Sequence, residues 1–224
     1  MPTEDLHPWD ALAFGVERSF ACLATFTPVY ISFALMACLA DGFTELSLKH
    51  AELRTQAYTF ANVFGSVAFF PTLTAAVRLY VPKFDLDLRR IFALFGYNII
   101  LVAAVIGGLF AFLVPAFFIA ARFGPTPQAY AIREARGDEP LNAFAISWEA
   151  TRGRGWGTFV LLLLLFAVAA LGIFVPQLLF TSALYGNRAY AFVLAPILFA
   201  LYLWFQQVAN LATVRWLMLS SPGE

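Results

Sequence analysis

LRRIFALFGYNIILVAAVIGGLFAFLVPAFFIAA, running from Leu88 to Ala121, is the stretch whose reading decides the fold. Its 34 residues, taken as one helix, would reach about 51 Å against a membrane hydrocarbon core of about 30 Å. Helix breakers sit inside it: Gly107-Gly108, then Pro115 seven residues on. The distribution of basic residues separates one pass from two. With a single crossing, Arg18, Arg78, Lys83, Arg89, Arg90 and Arg188 face one side and the other 8 basic residues face the other, which is no bias. If the stretch turns back, Arg18, Arg78, Lys83, Arg89, Arg90, Arg122, Arg133, Arg136, Arg152, Arg154 and Arg215 collect on one side, 11 in all. Only Lys49, Arg54 and Arg188 remain opposite, and the crowded side is then cytoplasmic. A hairpin turning near Gly107-Gly108 is therefore expected, with both termini cytoplasmic. Its second arm, about 109–122, is short and either crosses fully or re-enters partway.

The rest of the chain agrees with a membrane setting. Hydrophobic residues make up 61% and charged residues 12% of 224 positions, and 25 are phenylalanine. Soluble domains are about 45–50% apolar and about 25% charged. The expected architecture is all-α: a polytopic membrane bundle of about six transmembrane or re-entrant helices forming a single domain, 1–224. Spans are placed at about 20–40, 57–81, 88–106, 109–122, 156–180 and 189–219. Fourteen basic residues balance fourteen acidic ones, which removes a nucleic-acid partner recruited by bulk charge. The acidic N-terminus lacks the basic region of a cleavable signal, so insertion is expected to rely on the first span.

Between the third and fourth apolar stretches lies the most informative polar segment. Thr126-Pro127 reads as a helix start and Gly137 as a stop. A second short helix, about 139–152, follows Asp138 or Glu139, with Leu141, Phe144, Ala145 and Trp148 as its apolar stripe and Gly153 as its end. Joined to spans on both sides, it is expected to lie in the cytoplasmic interface. The run Ala143-x3-Ser147-Trp148-x2-Thr151-Arg152-Gly153 before a leucine-rich span, with Val114-Pro115 in the preceding one, resembles a bacterial membrane family. That family is the membrane domain associated with glycerophosphoryl diester phosphodiesterases, with related uncharacterised inner-membrane proteins. The resemblance implies a six-helix membrane module. It does not bring phosphodiesterase activity, because the barrel that carries it needs about 250 residues.

Residues with catalytic potential are few. His7 and His50 are the only histidines and both fall outside the spans, and Cys22 and Cys38 show no metal spacing, so no cofactor and no metal are expected. Asp85-Leu-Asp87 is the nearest match to a magnesium–phosphate pair, but ion pairs and a cap on the helix beginning at Leu88 explain it as well. The intramembrane polar residues are Asn62, Ser66, Thr72, Asn98, Gln206, Gln207 and Asn210. Asn98, Gln206 and Asn210 are read as helix-to-helix contacts. Arg133, Arg136, Trp148, Arg152 and Arg154 are read as an interface for lipid headgroups or a partner. The expected function is a non-catalytic structural or accessory subunit, with the lipid bilayer and other membrane subunits as partners. The alternative is a small lipid- or solute-handling protein with a re-entrant hairpin near Gly107–Pro115.

Overall fold

A computed structural model describes residues 7–20, 69–85, 87–111, 113–137, 143–175 and 195–220, and within them the chain is all-α. Several expectations fall outside these residues: the span at 20–40, the first part of 57–81, Cys22, Cys38, His50, Asn62, Ser66, residues 138–142 and the turn at 181–188.

Helix α1, residues 8–20, begins with Pro8 at its first position, and the His7 backbone N–H donates to Asp10 Oδ2 at 3.1 Å. That is one half of a capping box. Its buried positions, Pro8, Ala11, Leu12, Gly15 and Ser19, form a single stripe. Helix α2, Phe69–Arg78, is buried almost all round, at Phe70 and at every residue from Thr72 to Val77. Arg78 closes the loop that follows. Its Nε donates to the Phe84 carbonyl at 2.7 Å and its Nη2 lies 3.2 Å from Asp85 Oδ1.

Helix α3, Leu88–Ala111, has 24 residues and helix α4, Leu113–Phe123, has 11. An added Cβ at Gly108 would stand 2.9 Å from the Ala116 Cα. In one straight helix these positions would be about 12 Å apart, so the chain folds back between them. The chain therefore reverses after Ala111, where α3 ends, and Gly107-Gly108 lies inside α3 and not at its end. Glycine here removes a side chain so that two helices can touch. Helix α4 rises about 16 Å and α3 about 36 Å. The first half of α3 therefore runs on beside the next helix, with Tyr97 packed on Tyr130 and Phe144 at 5.7 and 5.5 Å between ring centroids.

Helix α5, Thr126–Ala135, starts at Thr126-Pro127 as read from sequence, and Gly137 ends it at φ +85°. Every residue from Thr126 to Ile132 is buried, and the helix packs on α2, α3 and α8 as part of the core.

Helix α6, Ala143–Ala150, stops before Gly153 at φ +75°. Of the apolar stripe read from sequence, Phe144 is half-buried and Ala145 and Trp148 are exposed, while Ser147 and Thr151 are fully buried. Helix α7, Gly155–Ala169, continues through a π-helical turn at Ala170–Phe174. Among the described residues Gly155–Gly172 is the one stretch long and apolar enough to cross a membrane, and only 22% of it is buried.

Helix α8, Ala195–Ser220, is the axis of the core. Its second half is enclosed at Gln207, Val208, Asn210–Val214, Trp216 and Leu217, whereas Ile197 and Leu201 near its start are exposed. Helix α1 runs antiparallel along it. Trp204 Nε1 donates to Ser19 Oγ at 2.9 Å, Gly15 meets Val208 and Ala212, and Phe14 lies under Arg215. Gly157 receives the Trp216 ring, whose Nε1 donates to Thr158 Oγ1 at 3.0 Å, and Pro8 lies alongside. The start of α1, the start of α7 and the end of α8 thus share one end of the molecule.

Candidate functional site

Two polar constructions sit in and around that end. The first joins α4 to α6. Arg122, the penultimate residue of α4, sends Nη1 to the Thr151 carbonyl at 2.6 Å, a helix C-terminus that lacks its own donors. The α6 side answers: Ser147 Oγ donates to the Arg122 carbonyl at 2.7 Å, and Thr151 Oγ1 donates back to the Ser147 carbonyl at 2.8 Å. The guanidinium lies over the Trp148 ring at 4.8 Å and the Phe118 ring at 5.8 Å. It also lies against Gly155, where an added Cβ would come within 3.0 Å of Arg122 Cζ. The Ser-Trp-x2-Thr-Arg-Gly run is therefore a lock. Small hydroxyl residues face inward to bond the neighbouring helix end, tryptophan faces outward under a cation, and Gly153 supplies the left-handed turn into α7.

The second construction is a buried amide relay through three helices. Gln128 Nε2 of α5 donates to Asn210 Oδ1 of α8 at 2.8 Å. Asn210 Nδ2 donates to Thr72 Oγ1 of α2 at 3.0 Å, and Thr72 Oγ1 donates to the Phe69 carbonyl at 2.9 Å. Asn210 thus makes interhelical contacts of the kind expected. Gln206 bonds within its own helix, its Nε2 donating to the Tyr202 hydroxyl at 2.7 Å. Gln207 is fully buried, and among the described residues neither of its amide atoms has a hydrogen-bond partner. Asn98 lies on α3, and its side chain is outside the described set. Gln128 and Arg122 were not singled out by sequence. A glutamine in the first turn of a short polar helix gives no sign of burial, and an arginine at a span end reads only as a topology signal.

The basic residues beside α6 have different neighbours. Arg133 Nη1 lies 3.8 Å from Glu149 Oε2, tying α5 to α6, and Arg136 Nη2 reaches Met218 Sδ of α8 at 3.6 Å. Arg152 is exposed beside Gly153, while Arg154 is half-buried and its carbonyl accepts the Thr158 hydroxyl at 3.1 Å. Asp85 is paired with Arg78, and the Asp87 carbonyl accepts the Ile91 N–H at 3.0 Å as the first turn of α3 forms. Among the described residues no three His, Cys, Asp or Glu side chains gather as a metal set. Both constructions hold helices to one another. Comparison with protein-family models, with curated proteins and with solved structures gives no match for this chain.

Proposed function

We propose that the chain is a non-catalytic, multi-pass protein of the bacterial inner membrane, serving as a structural or accessory subunit of a larger membrane complex. The observation that carries this reading is the inversion of its surface. Large apolar side chains point outward along α3, α4 and α7, among them Phe92, Phe117, Phe166 and Leu171, the last 73% exposed. Meanwhile Thr72, Gln128, Ser147, Asn210 and Thr151 are turned inward onto other helices. A water-soluble bundle arranges these groups the other way round; lipid reverses the preference. An apolar α7 left mostly uncovered is also unlike the buried core helix of a soluble domain.

Six membrane segments with cytoplasmic termini fit the same picture. The ends of α1, α7 and α8 lie together, beside Arg122, Arg154 and Arg215, as the returning hairpin requires. Helix α4, at about 16 Å, reaches half of a hydrocarbon core of about 30 Å, which favours partial re-entry. On this view the resemblance to the phosphodiesterase-associated membrane domain rests on a packing lock. The partners are the bilayer and neighbouring subunits. Extraction from native membranes in mild detergent, followed by native electrophoresis, tests the proposal: the protein migrates with other chains. A monodisperse free monomer overturns it. The alternative, lipid or solute handling around the re-entrant hairpin, draws on the short α4 and on the unpartnered Gln207. It requires a ligand whose binding is lost in Gln207→Leu.

A further inference from the structure

Along the seam between α1 and α8 two arginines share one aromatic ring. The Arg215 Cζ lies 4.9 Å from the Phe14 centroid and the Arg18 Cζ lies 5.8 Å from the same centroid. Helical side chains lean toward the N-terminus, so Arg18 reaches back one turn to Phe14, toward the end that holds Pro8, Gly157 and Trp216. The seam is tight and cannot absorb the pair, since a Cβ at Gly15 would stand 2.7 Å from the Val208 carbonyl oxygen. Arg18 is exposed and Arg215 half-buried.

What distinguishes this pair among the described residues is the shared ring; the lack of an acceptor it has in common with Arg89 and Arg152. Arg78 has Asp85 and a carbonyl, Arg122 a carbonyl, and Arg133 has Glu149. Among the described residues neither Arg18 nor Arg215 has a hydrogen bond or an ion pair, and exposed Glu17 beside Arg18 makes none either. Each guanidinium carries five donors in a planar fork, and the face of a phenylalanine satisfies none of them in full. A phosphate accepts such a planar fork bidentately. The flanks select the kind of phosphate. Trp9, 58% exposed, lies toward the end of the molecule, and Phe20, 60% exposed, lies in the opposite direction along α1. A free anion has no use for these rings, whereas a phospholipid places its headgroup boundary against the tryptophan and its acyl chain against the phenylalanine.

We propose that Arg18 and Arg215, seated on Phe14, bind the phosphate of an anionic phospholipid in the cytoplasmic leaflet. This rests on the membrane reading above. The test uses the full chain in mild detergent, titrated with phosphatidylglycerol or phosphatidylcholine and read by native mass spectrometry. Wild type is expected to favour phosphatidylglycerol at least tenfold. The double variant Arg18→Gln/Arg215→Gln loses about fivefold per arginine, and Arg18→Lys/Arg215→Lys retains more binding than the glutamine pair because charge remains. Unchanged phosphatidylglycerol occupancy in the glutamine variant, or equal loss in both variants, overturns the site. Displacement of bound lipid by millimolar inorganic phosphate, with no preference between the two lipids, identifies a free-anion site and overturns the lipid assignment. A parallel alkaline-carbonate wash of membranes separates the two levels. Release of the wild-type chain overturns the membrane reading and this site with it, whereas retention with unchanged occupancy overturns the site alone.

Discussion

Replacing Arg122 with methionine keeps the aliphatic stem and removes the guanidinium. The charge-assisted bond to the Thr151 carbonyl, 2.6 Å long, contributes about 1.5–3 kcal/mol. The cation over the half-exposed Trp148 ring at 4.8 Å adds about 0.5–1 kcal/mol. The Ser147 hydroxyl bond goes to the Arg122 backbone and survives the substitution. The expected loss is therefore about 2–4 kcal/mol, localised where α6 meets α4. Hydrogen exchange in a nanodisc reads it directly at the amides of Thr151, Arg152 and Arg154, which bond to the Ser147, Glu149 and Thr151 carbonyls. If these amides exchange by local opening, their rates rise about 30- to 1000-fold in Arg122→Met. Arg122→Lys, which keeps charge but not the fork, falls between. Protection at these three amides within threefold of wild type would refute the lock. So would an equal loss across α2 and α8, because the effect would then be global.

Further substitutions follow from the same packing. Gly15→Ala is expected to destabilise by about 1–3 kcal/mol through overpacking, because the nearest atoms are α8 backbone and Ala212; Gly107→Ala, with open space around it, is expected to stabilise by a few tenths to about 1 kcal/mol. Equal thermal shifts for the two in detergent would contradict the close approach of α1 to α8. Asn210→Leu strands Gln128 Nε2 and removes a bond to Thr72, at about 1–3 kcal/mol, and is expected to lower the melting temperature. Gln207→Met is expected to raise it, since the glutamine amide is buried without partners. A lower melting temperature for Gln207→Met would mean that the amide is bonded in the membrane.

Some of this was legible in the sequence. Thr126-Pro127 opens a helix, and Gly137 and Gly153 close two at φ +85° and +75°, because the rules of helix ends are local. Asn210 was readable as a contact because a polar amide on an apolar span has few other uses. The rest was not legible because it depends on packing between distant segments. The inward turn of the Ser147 and Thr151 hydroxyls in and beside α6 is set by the neighbouring end of α4, while Trp148 stays exposed. Gly107-Gly108 looked like a breaker, but Gly108 is a contact with Ala116 inside a helix that continues to Ala111. The burial of α5 had no local signal at all, since Gln128 meets Asn210 across 82 positions of sequence.

The returning hairpin is the hinge of the whole account. It is tested by asking which face of the membrane reaches the residues before α3 and after α5. Lys83 and Arg136 are both exposed. Each is replaced in turn by cysteine in a background where Cys22 and Cys38 are alanine, and intact spheroplasts and inverted vesicles are treated with an impermeant maleimide. The account predicts that both positions label only from the cytoplasmic face. Labelling of position 83 and position 136 from opposite faces would contradict it, because the stretch from Leu88 to Ala121 would then cross once.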